Sequence, residues 1–248
     1  MMKVLITGAS SGIGRDLAKV LSDKYDEMVL VGRNKDRLES LKLELNNINV
    51  KIVLTDISNK DNCIKLYNEN KDVDLLINNA GFGDCGIFDK TDLNKDLDMI
   101  NTNIVGLHVL TKLYLSDMKK RNCGHILNVA SIAGFMSGPL MATYYATKNY
   151  VVRLSEAIRV ELKKDKSNVK ISVLCPGPVN TKFNKRANVK FDLNGMNSMD
   201  VAKYTIKHLN KFYIVPGFGV KVTRVISHVL PSNIMSRLCY NIQHRKIY

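Results

Sequence analysis

Tyr144 and Lys148 are four residues apart in Tyr144-Tyr145-Ala146-Thr147-Lys148, and Ser131 lies thirteen residues upstream of the tyrosine. On a helix four residues make about one turn, so the phenol and the ammonium share a face. A free phenol has a pKa of about 10 and exchanges protons poorly near neutrality. A nearby cation favours the phenolate and lowers that value. A hydroxyl placed opposite can hold a substrate oxygen while the phenol exchanges a proton with it. These three residue types therefore form a candidate acid/base device. Tyr145 competes for the same role: it points about 100° away around a helix, yet it lies three residues before Lys148, so geometry leaves both tyrosines open. His108, His125, His208, His228 and His244 show no ligand spacing, and no metal is expected.

A second constellation stands near the N-terminus. The apolar run Lys3–Thr7 leads directly into Thr7-Gly8-Ala9-Ser10-Ser11-Gly12-Ile13-Gly14, and a helical pattern follows. Glycines let the backbone turn tightly and approach a pyrophosphate, which then sits at the positive end of the helix. The next strand ends Leu30-Val31-Gly32-Arg33-Asn34. An acidic residue that would bind ribose hydroxyls belongs near this point, and none is there. Arg33 suits a 2′-phosphate through charge-assisted hydrogen bonds, so NADP(H) is expected over NAD(H). The alternative is a surface arginine opening the next helix.

The elements that must position these residues follow from periodicity. Lys3–Thr7, Met28–Val31, Val50–Thr55, Val73–Asn78, His125–Val129 and Val169–Leu174 are short, nearly continuous apolar runs, as strands buried on both faces should be. Between them Ile13–Lys24, Asp36–Leu45, Leu93–Lys120 and Tyr144–Lys164 read as helices. Such alternation predicts an α/β fold, a doubly wound parallel sheet with helices on both faces. Residues 1–248 contain no Pro/Ser-rich linker, so one domain is expected, and Pro176–Met199 reads as a long loop.

Hydrophobic residues make up 45% of the chain and charged residues 24%, which is ordinary for a soluble domain. Five cysteines without a Cys-x-x-Cys pair suggest free thiols in a reducing cytoplasm. The apolar run at the N-terminus is too short for a signal peptide or a membrane span. The net charge is +14, and no acidic residue follows Asp200. Such a tail is a solvated basic surface, or it attracts an anionic ligand or an acidic membrane surface. No nucleic-acid motif accompanies it.

Taken in order, these motifs resemble the short-chain dehydrogenase/reductase family in its compact single-domain branch. Thr7-Gly8-x-x-x-Gly12-x-Gly14 resembles the family's cofactor turn, and Asn78-Asn79-Ala80-Gly81 its Asn-Asn-Ala-Gly motif. Pro176-Gly177-Pro178-Val179-Asn180-Thr181 resembles the Pro-Gly loop beside the nicotinamide. The likeness covers roughly residues 2 to 181. It implies a Rossmann-like fold and an NADP(H)-dependent reaction between a carbonyl and a secondary alcohol. It also implies a proton relay of Asn103, Ser131, Tyr144 and Lys148, and it picks Tyr144 over Tyr145. Implied cofactor contacts are Gly8, Ser10, Ser11, Gly12, Ile13 and Gly14 at the turn, then Arg33, with Asp56 and Ile57 after the third strand. Asn79, Ala80 and Gly81, Tyr144 and Lys148, and finally Pro176, Gly177, Val179 and Thr181 complete them. In this mechanism Lys148 lowers the Tyr144 pKa.

The chain departs from the family beyond that point. The family's closing Val-Asp-Gly-Gly strand is missing, which weakens a tetramer, and a homodimer through Leu93–Lys120 and Tyr144–Lys164 is implied instead. Substrate choice is expected in the loop 182–199 and in the basic, apolar extension 212–248. There Val222, Val225, Ile226 and Val229 share one helical face, and Ile234, Leu238 and Ile242 repeat every four residues. Packing of these stripes on the body of the protein is the expected arrangement. A membrane-touching segment or a lid over an apolar acyl- or steroid-like substrate is the alternative. A non-catalytic NADP(H) sensor or scaffold is the rival function, because a fold alone does not specify chemistry. The chain is too short for an extended-type epimerase or dehydratase.

Overall fold

Short, largely apolar runs can bury both faces only between layers of helices, and this is the arrangement of the computed structural model. It describes residues 1–181, 183, 187 and 195–245. Seven parallel strands form one sheet in the order β3-β2-β1-β4-β5-β6-β9. They are β1 (Lys3–Thr7), β2 (Glu27–Gly32), β3 (Asn49–Leu54), β4 (Leu75–Asn78), β5 (His125–Val129), β6 (Lys170–Leu174) and β9 (Tyr213–Ile214). The short β7 (Val179–Asn180) and β8 (Met196–Asn197) pair with each other and close the base of the long loop. Strand β9 falls in the stretch that lacks the family's closing motif; the backbone hydrogen bonds to β6 make a strand there all the same.

Nine α-helices fill the connections among the described residues: α1 (Gly12–Leu21), α2 (Lys35–Glu44), α3 (Lys60–Glu69), α4 (Leu93–Ile100), α5 (Leu107–Arg121), α6 (Ala142–Lys164), α7 (Ser198–Lys207), α8 (Phe218–Val229) and α9 (Ser232–His244). Asn34, Asn59, Asp92 and Asn197 each accept a backbone N–H at the start of α2, α3, α4 and α7. Such caps satisfy donors that a helix leaves orphaned. Helices α3 and α7 add to the expected set and bury two and three residues. On one face of the sheet Leu5, Val29, Leu76 and Ile126 pack with Leu66, Leu110, Tyr114 and Val152. On the other, Val4, Ile6, Leu30 and Leu75 pack with Leu17, Leu21, Leu38 and Val201. Each such fully buried side chain contributes about 2 kcal/mol.

Two expectations need correction. The helix expected over Leu93–Lys120 is interrupted: Asn101–Gly106 forms a wider π-type turn between α4 and α5. A Cβ on Gly106 would stand 2.3 Å from the Ile57 carbonyl oxygen, so this turn presses backbone to backbone. The apolar stripes of the extension are the second. They face outward: Phe218 is 81% exposed and Val229 75%, with Val222, Val225 and Ile226 exposed between them. Helix α8 buries no residue fully. Its inner face carries Arg224, whose guanidinium lies 3.6 Å from the Tyr213 ring centroid and 5.1 Å from that of Phe135. In α9 the buried row is Met235, Cys239 and Gln243, one position past the expected stripe, while Ile234, Leu238 and Ile242 are exposed. Aromatic rings on the body attract the Arg224 cation inward, and that rotation turns the valines out.

Candidate active site

The strand order reverses between β1 and β4, and a crevice opens beyond the carboxyl ends of such strands. A cavity of about 720 Å³ occupies this place. Gly8, Ser10, Ser11, Gly12 and Ile13 form one end of its wall. Gly8 and Gly12 have φ of +67° and +55°, the left-handed region that only glycine enters freely. Asn79 holds this turn in place: its Nδ2 donates to the Thr7 and Gly8 carbonyls at 3.0 and 3.2 Å. Thr7 Oγ1 in turn accepts from the backbone N–H of Asn79 and of Ala80. Gly14 lies outside the wall, beneath the turn, where a Cβ would meet Asn79 Nδ2 at 2.4 Å.

Arg33, Asp56 and Ile57 line the next section. The Arg33 guanidinium donates to Asp56 Oδ2 at 2.9 Å. Burial works against the Asp56 charge, yet the Ser58 backbone N–H and Arg33 together hold its carboxyl below the ordinary value. Arg37, in the first turn of α2, also lines the cavity, four residues beyond Arg33. The sequence reading missed it, although the Arg-x-x-x-Arg spacing was a usable signal.

At the far end Ser131, Tyr144 and Lys148 come together with Ala80 and Gly81. Ser131 caps the short turn Ile132–Phe135 after β5, with Ala133 N–H donating to its Oγ at 3.2 Å. Tyr144 and Lys148 project from the first turns of α6 and are 9% and 5% exposed. Lys148 Nζ donates to the Val129 carbonyl at 2.9 Å and sits 5.9 Å from the Tyr144 ring centroid. Asn103, in the wide turn, lies behind the wall: it exchanges hydrogen bonds with the Phe82 backbone at 3.1 and 2.9 Å and donates to Thr147 Oγ1 at 3.0 Å. A Cβ on Gly81 would approach Asn103 Oδ1 at 2.9 Å and Lys148 Nζ at 3.4 Å, so this glycine keeps the junction of the two open.

The charge balance corrects one expectation. Burial pushes the Tyr144 phenol up to about 12, and a hydrogen bond with Ser131 offsets this only in part. Burial pulls Lys148 down to about 8, with Cys175 nearby working the other way. Desolvation disfavours both charged forms. Tyr144 is thus a neutral acid near pH 7. Tyr145 lines the same cavity, but its hydroxyl is engaged: it accepts from Gln243 Nε2 at 2.5 Å and from Cys239 Sγ at 3.5 Å.

Pro176, Gly177, Val179 and Thr181 complete the wall. The Thr181 side chain closes on the glycine turn, within 3.1 Å of where a Gly12 Cβ would stand. Phe82, Met141, Phe183 and Gln243 also line the cavity and were not expected. The loop 182–199 lies largely outside the described residues.

Comparison with known proteins agrees with this fold. The family described as short chain dehydrogenase matches residues 2–191. An uncharacterized oxidoreductase of Staphylococcus saprophyticus is 36% identical over 184 residues, which cover 73% of this chain and 75% of the relative. A short-chain dehydrogenase from Sphingobium yanoikuyae, solved with NADPH, superposes with a TM-score of 0.85 at 26% identity, covering 95% and 96% of the two chains. A short-chain dehydrogenase/reductase from Burkholderia phymatum, solved with NAD, gives 0.83 at 26% identity over 92% of each.

Proposed function

This chain belongs to the short-chain dehydrogenase/reductase family, and we propose that within it the protein is an NADP(H)-dependent oxidoreductase that interconverts a carbonyl and a secondary alcohol. The observation that carries this reading is the junction of Ser131, Tyr144 and Lys148 at one end of a cavity whose other end is the glycine turn. The cavity walls fit a dinucleotide. Gly8 and Gly12 let the turn line the cavity while packing against Asn79, Ala80 and Thr181, and Arg33 and Arg37 offer two guanidiniums for a 2′-phosphate. A nicotinamide cofactor supplies the hydride when bound.

The chain's own residues manage the proton and the oxygen. Ser131 hydrogen-bonds the substrate oxygen and orients it. Tyr144, neutral with its pKa at about 12, gives its proton to the oxygen as negative charge develops there. Lys148, protonated below about 8, then stabilises the phenolate that forms. Asn103 positions the wide turn behind Lys148 through its bonds to Phe82 and Thr147. Oxidation runs the same steps in reverse. A homodimer through α5 and α6, in the cytoplasm, completes the proposal.

The outward valines of α8 favour a second reading, a reductase that rests on an anionic lipid surface. The face joins exposed apolar side chains to a segment without acidic residues, which is how surface-lying helices engage such lipids. Two copies meeting through this face would set like charges together.

The direct test follows NADPH consumption over a panel of ketoacyl, steroid, sugar and aromatic carbonyls, with Tyr144→Phe and Tyr145→Phe beside the wild type. Turnover is expected to vanish in Tyr144→Phe with NADPH binding intact, and to survive in Tyr145→Phe. Tight NADPH binding without turnover on any carbonyl would favour a sensor instead.

A further inference from the structure

Helix α9 brings one side chain of the C-terminal extension into the cavity wall among the described residues, Gln243. It is 3% exposed. Its Nε2 is spent on the Tyr145 hydroxyl at 2.5 Å, a contact between residues 98 positions apart. Its Oε1 is buried and has no hydrogen-bond partner among the described residues. Protein interiors rarely leave a carbonyl oxygen in this state, and each instance calls for an explanation. The Tyr145 hydroxyl is taken up by Nε2, and Phe82, Met141 and the Phe183 ring, which packs 5.3 Å from that of Tyr144, are apolar parts of the same wall. The Tyr145 hydroxyl also accepts from Cys239 Sγ at 3.5 Å.

We propose that Gln243 is a specificity-determining residue whose Oε1 accepts a hydrogen bond from a hydroxyl or amide N–H of the substrate, apart from the reacting carbonyl. This rests on the carbonyl chemistry proposed above. The substrate class becomes a largely apolar ketone that carries a second, donating group. Its reacting oxygen meets Ser131 and Tyr144, and its donor meets Gln243. A ligand without the donor leaves Oε1 unpaired in a dry wall. Sites built around a buried polar group reject the analogue that fails to satisfy it.

The test uses matched pairs of ketones, one bearing a hydroxyl and the other hydrogen at the same carbon. Binding to the NADP-loaded protein is measured by calorimetry and turnover with NADPH in parallel, for wild type, Gln243→Met and Gln243→Glu. Wild type is expected to favour the hydroxylated member of at least one pair by about tenfold to a hundredfold. Gln243→Met should lose that preference while keeping its affinity for NADPH. Gln243→Glu, which retains acceptor oxygens, should keep it. An unchanged preference in Gln243→Met overturns the inference, as does a wild-type preference for partners offering only an acceptor. Turnover without any Gln243-dependent preference defeats this inference alone. A Gln243-dependent binding preference without turnover supports it and defeats the proposed reaction.

Discussion

Replacing Lys148 with methionine should remove activity and, near neutral pH, relieve a strain on folding that disappears in alkali. The unfolded lysine holds its proton up to its ordinary 10.5, whereas the folded one holds it only up to about 8. Between these values the unfolded chain binds more protons, so wild-type stability rises with pH through this window. Below pH 8 the folded protein carries the full penalty of a buried ammonium, about 3 kcal/mol at about 1.4 kcal/mol per tenfold change in the proton equilibrium. By pH ~9.5 that penalty shrinks to about 1.4 kcal/mol. The methionine also loses the hydrogen bond to the Val129 carbonyl, which costs about 1–3 kcal/mol at either pH. The clean quantity is therefore the change of the difference. Urea unfolding of both proteins at pH ~6.5 and ~9.5 should show the wild type gaining about 2 kcal/mol relative to Lys148→Met. Titration of the tyrosines and other lysines cancels between the two. A stability difference that is independent of pH would refute the claim that Lys148 is charged in a dry site.

Changing Arg33→Asp should raise the KM for NADPH by about tenfold to a hundredfold, the worth of a charge-assisted bond to phosphate, and leave that for NADH nearly unchanged. Equal effects on the two cofactors would remove Arg33 from the 2′-phosphate. Gly106→Ala should lower stability by about 3 kcal/mol, the upper range for overpacking, because its Cβ would press on the Ile57 carbonyl. A urea midpoint matching the wild type would show that the wide turn relaxes freely. Vesicles containing anionic lipid should sediment the wild type at low salt and release it when Val225→Asp and Val229→Asp are combined. Equal sedimentation of the two proteins would end the lipid-surface reading.

Local order decided what was legible in the sequence. Strands β1 to β6 announced themselves as apolar runs, because a parallel sheet covered on both faces demands them. The glycine turn, Arg33 and the Ser131, Tyr144 and Lys148 set could be read by type and spacing, since each belongs to a loop or helix end next to a recognisable strand. Helix α3, helix α7 and strand β9 were not legible: their pattern stays below the noise of single-sequence reading. Asn103 showed as an odd polar residue in a helical stretch, but only the fold revealed the wide turn that Gly106 permits against Ile57.

The chain alone therefore determined the layer order, the glycine turn and the chemical types at the junction, because these follow from periodicity and neighbouring residues. Tertiary structure decided the rest. It set the protonation of Tyr144 and Lys148, since desolvation depends on everything packed around them. It separated Tyr144 from Tyr145 by giving one to Ser131 and the other to Gln243. It turned the stripes of the extension outward, because the sign of an amphipathic helix depends on the surface that receives it, and here Tyr213 and Phe135 receive an arginine.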